Sequence, residues 1–520
     1  MTSLNINDNG SIMPDNSANN KRIALNTIVL YAKLIITTII SFVLSRLVLD
    51  ALGASDYGLY HVVGGIVSLL NILGTSMVAT SYRYMAVEIG KGDAGNPNKV
   101  YNTVLVIHIV LALFLLIVGE SLGVFYVNHY LNVDPTKIPD ALFILHLSLL
   151  TSAFAVITVP MNGLIIAREK FIFTSVVETL SVIAKLVLVL LLINIDGNKL
   201  RMYAIILAFI QFSIPASYQI YCRVKDSIVV KWSFNKNWAD YKDVFSFAIW
   251  ILMGAVACVG RTQGATMIIN LFFGTVLNAA YGIAVQVSSA ASQFTNTLRQ
   301  AAIPQIMKNQ ETDESRSMTL VYAISRYSFL CMSIIAIPLL FRLPQILQLW
   351  LGTPPEYTSI FISFMLITSL VSNLGAGFDA SVQASGHIRA YQIGYTIIML
   401  SLLPIIYVLY KLGCPPYVNE IVALILSIVL LLFQCIMMKK LTSFSYNEYL
   451  KRTIVPCLLV AVVAFVPSIF INLILDESVL SSLFFLLVSM FWTMVSIYLY
   501  GLNAHEKSLL RNFLQKKVFR

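Results

Sequence analysis

Five ionisable residues stand in the middle of long apolar runs: Lys33, Glu178, Lys185, Arg261 and Asp379. An unpaired charge at the centre of a bilayer costs at least about 3 kcal/mol on insertion scales, so each needs a partner or a purpose. Lys and Arg are natural partners for phosphate, Arg through a two-pronged fork. Lys33, Lys185 and Arg261 therefore predict a binding place for an anionic cargo. Glu178 and Asp379 suit a different chemistry. A carboxyl held away from water can exchange a proton, or hold sodium, and so couple a movement to an ion gradient. Glu178 and Lys185 lie seven residues apart on one helical face, about 10 Å along the axis, and equally suit a structural network with their neighbours.

Uncharged polar residues fall into stripes beside these ions. Asn26, Lys33, Thr37, Ser41 and Ser45 follow one another at steps of seven, four, four and four. His61, Ser68, Asn71, Thr75 and Tyr82 form a second stripe, Gln286, Ser289, Gln293, Asn296 and Gln300 a third, and Ser372, Asp379 and Gln383 a fourth. These steps match the 3.6-residue turn of a helix, so each stripe is one face. Ser and Thr alone usually mark helix packing. With Lys33 in the same row, a hydrated cavity is the better reading, with Asn71, Gln286, Gln293 and Asn296 on its wall. Glu120 and Arg46 stand near span ends, where long side chains reach water. His108 and His146 are single histidines on apolar faces, expected to be satisfied core residues. Six scattered cysteines without a C-x-x-C read as structural thiols, and no metal site is expected.

The elements that position these residues are membrane spans. The chain of 520 residues is 58% hydrophobic and 12% charged, with a mean hydropathy of +0.80. Such a composition leaves too little polar surface for a soluble domain of this size. Fourteen apolar stretches, from 24–48 to 479–501, are long enough to cross about 30 Å of hydrocarbon. Of the 35 Lys and Arg, 26 fall in the even-numbered connections and at the termini, against six in the odd-numbered ones. The positive-inside rule then places both termini in the cytoplasm. The net charge of +10 is thus topological. No soluble basic domain exists to bind nucleic acid.

The expected organisation is a cytoplasmic tail (1–22), a six-span lobe (23–222), a basic and aromatic linker (223–243), a second six-span lobe (244–440), two further spans (441–501) and a basic tail (502–520). The linker suits a position on the inner leaflet. A shift of 221 residues lays Gly53 on Gly274 and Tyr60 on Tyr281, and carries Ser68, Asn71 and Thr75 onto Ser289, Ser292 and Asn296. Six spans separate the copies, so the repeat is parallel, as in transporters with a site between two lobes.

Three motifs carry a resemblance. The turn Leu52 to Tyr60, the close Ser81 to Ala86 and the turn Gly163 to Phe171 resemble the bacterial polysaccharide flippases of the multidrug/oligosaccharidyl-lipid/polysaccharide exporter superfamily. The resemblance implies an all-α integral membrane fold, with two six-helix lobes in a V around a cationic central cavity plus two C-terminal helices. It further implies movement of undecaprenyl-pyrophosphate-linked sugar repeat units across the inner membrane by alternating access. Other polysaccharide-assembly membrane proteins would be partners, and no cofactor beyond a coupling H+ or Na+ is expected. The second copy departs from the turn motif, with Asn278-Ala279 in place of Tyr57-Gly58. A multidrug extruder and a peptidoglycan-precursor flippase share the fold. A membrane enzyme fits poorly, since outer loops are short and no catalytic pairing stands in any soluble stretch.

Overall fold

The structure, a computed structural model, describes residues 16–168, 170–193, 196–312, 314–385, 388–504 and 506–508. In lipid, a backbone has no water to satisfy it, so each apolar run must close its hydrogen bonds within itself. The described residues accordingly form helices, with no strand among them. In chain order these are α1 (Asn16–Gly90), α2 (Pro97–His129), α3 (Ile138–Ile157), α4 (Val159–Ala167), α5 (Phe171–Ile193) and α6 (Lys199–Lys225). Next come α7 (Trp238–Phe273), α8 (Thr275–Thr312), α9 (Glu314–Leu351), α10 (Thr358–Asn373), α11 (Phe378–Ala384) and α12 (Ile388–Leu400). The chain continues through α13 (Leu402–Lys411), α14 (Val418–Leu441), α15 (Tyr446–Tyr449), α16 (Val455–Ile474) and α17 (Val479–Ser496).

Eleven stretches among the described residues are long and apolar enough to cross a membrane. The first, Ile35–Ser68, runs through a bend at Gly53, where φ is 77° and ψ is 166°. Counting both arms of α1, and adding the 36-residue α7 and 38-residue α8, is consistent with the fourteen spans expected. The fold is that of an all-α integral membrane protein. Its surface fits a lipid solvent: Ile117, Phe209 and Leu487 are 67%, 66% and 69% exposed. Inside, small polar residues stand among a mainly apolar core. Ser468 and Ser489 join α16 to α17 at 2.9 Å, and the indole of Trp492 donates to the Val463 carbonyl at 2.9 Å.

The chain divides into two compact units. One holds the chain up to Gly53, Ile66–His129 and Pro135–Leu252. Here the linker is stapled to α2: the Asn98 amide donates to the carbonyls of Val229 (2.8 Å) and Lys231 (2.7 Å). Asn102 exchanges hydrogen bonds with Lys231 and Ser233, and Lys99 pairs with Asp240 at 2.7 Å. The buried Asp140 holds Arg201 at 2.6 Å and Asn198 at 3.0 Å, fixing the start of α6 to that of α3.

The other unit holds Ala54–Gly65, Tyr130–Asp134 and the chain from Met253 on. Ala54–Gly65 packs tightly on the start of α8. A Cβ added at Gly58 would stand 1.7 Å from the Thr275 carbonyl oxygen, and Ser55 meets Thr275 hydroxyl to hydroxyl at 3.0 Å. Gly274 ends α7 with φ 80°, close to the 77° of Gly53. The two glycines that the repeat superposes thus both carry a positive φ, which costs other residues about 1–2 kcal/mol. Arg342, 1% exposed, donates to the carbonyls of Asn472, Leu475 and Asp476 and so caps α16. That arginine is a structural clamp.

Candidate functional site

α10 and α11 are one span interrupted at Leu374–Gly375–Ala376–Gly377. Such a break is tolerated within a membrane only where its backbone groups find protein partners. Here the Tyr449 hydroxyl donates to the Leu374 carbonyl at 2.9 Å, and Ser325 accepts from the Gly377 amide at 3.3 Å. Asp379 follows the break. The Tyr391 hydroxyl donates to its carboxylate, and the Gln434 amide donates to Tyr391 at 2.7 Å. Asp379, Tyr391 and Gln434 thus form a chain of three hydrogen-bonded side chains.

Arg261 lies on α7, where Gly260 and Gly264 let α12 and α13 approach; a Cβ at Gly264 would meet Leu403 at 2.7 Å. The guanidinium donates to the Met399 thioether at 3.3 Å. It projects into a cavity of about 290 Å³ bounded by α7, α8, α10, α12, α13 and α14. Hydroxyls dominate its polar wall: Thr262, Tyr281, Ser288, Ser289, Ser369 and Ser372. A second cavity of about 180 Å³ shares Thr262, Tyr281 and Val285 with it, and adds His61, Gln263, Thr266 and Gln286.

The larger cavity also holds an acid that spacing did not single out. Glu420, in the first turn of α14, is 3% exposed, and its neighbour Asn419 is 1% exposed. The Asn419 amide donates to Glu420 at 2.6 Å, while its carbonyl oxygen is buried without a partner, as is the Thr368 hydroxyl on the same wall. The site thus gathers a carboxylate and several oxygen donors beside one guanidinium. Hard cations prefer such oxygens, and a proton can sit on the carboxyl. A signal was available: Glu420, Ser427 and Gln434 stand at steps of seven and are all buried on α14. An acid just after Pro415-Pro416 reads more readily as a helix-start residue at the membrane boundary.

The remaining expected site residues are dispersed. Gln286 lines the smaller cavity, whereas Gln293 and Asn296 lie further along α8, Gln293 exposed. Glu178 and Lys185 belong to the other unit, on α5, where the Tyr218 hydroxyl donates to Glu178 at 3.0 Å. Lys185 forms no ion pair among the described residues. The side chains of Lys33 and Asn71 lie outside the described residues. Among those described, no group of three or more His, Cys, Asp or Glu could hold a metal ion.

No protein-family model and no curated protein matches the chain. Solved structures do. The chain is similar to the lipid II flippase MurJ in an inward closed conformation, with a TM-score of 0.67 at 13% identity over 92% of this chain and 98% of that one. It is also similar to a multidrug resistance MATE family transporter of the MOP superfamily in an inward-facing conformation, with a TM-score of 0.57 at 15% identity over 80% of this chain and 98% of the other. At these identities the likeness is one of fold.

Proposed function

We propose that this chain is a flippase that carries a lipid-linked oligosaccharide across a bacterial inner membrane by alternating access, with its termini in the cytoplasm. The observation that carries this reading is Arg261. It is a cation facing a membrane-embedded cavity, and no carboxylate oxygen among the described residues comes within 4.0 Å of it. A structural arginine at such depth would be paired, since an uncompensated charge there is costly. A pyrophosphate between lipid and sugar is the complementary charge. The fold likeness to a lipid II flippase over nearly the whole chain supports a lipid-linked cargo, and the polysaccharide-flippase motifs favour a polysaccharide repeat unit. Lys33 and Lys185 would add positive charge along the path, with Asn71, Gln286, Gln293 and Asn296 as hydrogen-bonding wall.

Movement would be coupled to H+ or Na+. Glu420, with Asn419 and Thr368, is the better placed coupling carboxyl, because it shares the cavity with Arg261. Asp379 and Glu178 would serve the same coupling from their own networks. The test is export of surface polysaccharide in a strain lacking its native flippase. The wild-type chain restores it; unchanged export by Arg261→Ala would overturn the reading.

A second reading rests on the same acid. A buried carboxylate in a cavity suits an organic cation, and MATE structures share the fold. Cells expressing the chain would then resist cationic drugs and gain no polysaccharide.

A further inference from the structure

We infer that the ends of α9, α16 and α17 form a second site, for the phosphate of an inner-leaflet lipid, apart from the cavity of Arg261. A pocket of about 380 Å³ opens where these helices meet. It lies on the face that the charge asymmetry assigns to the cytoplasm. Three cations and one acid line it: Arg326 from α9, Lys451 and Arg452 just before α16, and Glu506.

Two helical irregularities bracket this one pocket. Leu450–Ile454 is a π-helical turn that carries Lys451 and Arg452. Ile497–Gly501 is another, and it brings Tyr500 and Gly501 to the opposite wall. Turns of this kind cost regular hydrogen bonding and concentrate at functional positions. The fit is close as well, since a Cβ at Gly501 would meet Leu330 on α9 at 2.9 Å.

The cations are only partly used. Arg326 is 6% exposed, donates to Glu506 and to the Arg452 carbonyl (3.3 Å), and keeps its Nε buried without a partner. Arg452 pairs through Nε with Glu448 at 2.5 Å. Lys451 has no ion pair among the described residues. A purely structural Arg326–Glu506 clamp needs neither the free ammonium nor the orphan N–H. A phosphate would take the Lys451 ammonium and stand beside the Arg326 and Arg452 guanidiniums, while Ala323, Pro456 and Leu502 offer apolar wall to the adjoining glycerol or prenyl chain.

The test uses the purified full chain in phosphatidylcholine mixed micelles and follows thermal unfolding while one probe is added. The probes are phosphatidylglycerol, a polyprenyl phosphate and inorganic phosphate. Both lipids should raise the midpoint. Lys451→Ala should require roughly fivefold more lipid for the same effect. Lys439→Ala, at the same face on α14, should leave the dependence unchanged. Preference for the polyprenyl phosphate assigns the site to a carrier lipid, and equal response assigns it to bulk phospholipid. Stabilisation by inorganic phosphate alone, or equal losses in the two variants, would overturn the inference.

Discussion

Arg261 and Glu420 line one cavity without forming an ion pair. Opposite charges that share a low-dielectric space ordinarily close on each other. Here Arg261 is held by Met399 and Glu420 by Asn419, each from its own side. The two charges have separate partners, and the proposed function assigns one to an anion and the other to a cation or proton.

Arg261→Ala should cut cargo export by roughly tenfold to a hundredfold, the equivalent of losing a charge-assisted hydrogen bond worth about 1.5–3 kcal/mol. Arg261→Lys should retain part of it, because the charge survives but the bidentate fork does not. Reconstituted proteoliposomes with a labelled lipid-linked sugar give the rates. Equal rates for both variants and wild type would remove Arg261 from the path.

Glu420→Gln preserves the volume and a hydrogen bond to Asn419 but cannot ionise. The variant should fold, exchange cargo down its own gradient, and lose the acceleration produced by an imposed proton or sodium gradient. The comparison is made in the same vesicles, with and without the gradient. Full retention of gradient-driven uptake would shift the coupling role to Asp379 or Glu178.

Arg342→Met tests the clamp on α16. Three carbonyls lose their donor, so stability should fall by about 3 kcal/mol. Transport per folded molecule should stay constant. Thermal unfolding in detergent reads the first and proteoliposome rates normalised to folded protein read the second.

Gly58→Ala and Gly64→Ala form a matched pair. The first drives a methyl against the Thr275 carbonyl, whereas the second meets nothing within 4 Å. Gly58→Ala should abolish accumulation of folded protein. Gly64→Ala should be neutral or stabilising by up to about 1 kcal/mol, as alanine is the better helix former. Expression monitored by fluorescence-detected size exclusion separates them.

Acid should loosen the linker from α2. The hydrogen bond from Asn235, and then Lys99, hold the Asp240 carboxyl below its usual range. Glu88 is held low in the same way by the Asn96 amide and Lys91. A carboxyl whose folded pKa is lowered stabilises the fold above its unfolded pKa. That contribution disappears as pH falls through the folded value. Limited proteolysis within 223–237 should therefore stay slow at neutral pH and accelerate on acidification below the ordinary aspartate range. Asp240→Asn should cleave at a rate far less dependent on pH.

How much the sequence discloses differs from residue to residue. A shift of 221 places Gly53 on Gly274, and the two backbones agree to within a few degrees of φ, because backbone geometry at a glycine is a local demand. Arg261 is legible too, since a charge in an apolar run has few explanations. Glu420 is not, because its burial depends on α7, α8 and α10 closing around the start of α14. Asp379 is legible as an ion but its partners are not: Tyr391 and Gln434 lie 12 and 43 residues away from Asp379 and Tyr391 respectively. The large clamp at Arg342 looks from sequence like one more outer-loop charge.

The buried stripe on α14 has a consequence for how this chain can change. Glu420 at one end and Gln434 at the other are fourteen positions apart, close to four whole turns. One inserted residue between them would swing Gln434 about 100° around the axis and uncouple Tyr391 and Asp379 from it. Substitutions along the lipid-facing side would leave that angle untouched. The separation of the two carboxyl networks is therefore written as a residue count. The segment should tolerate wide drift in spelling and almost none in length.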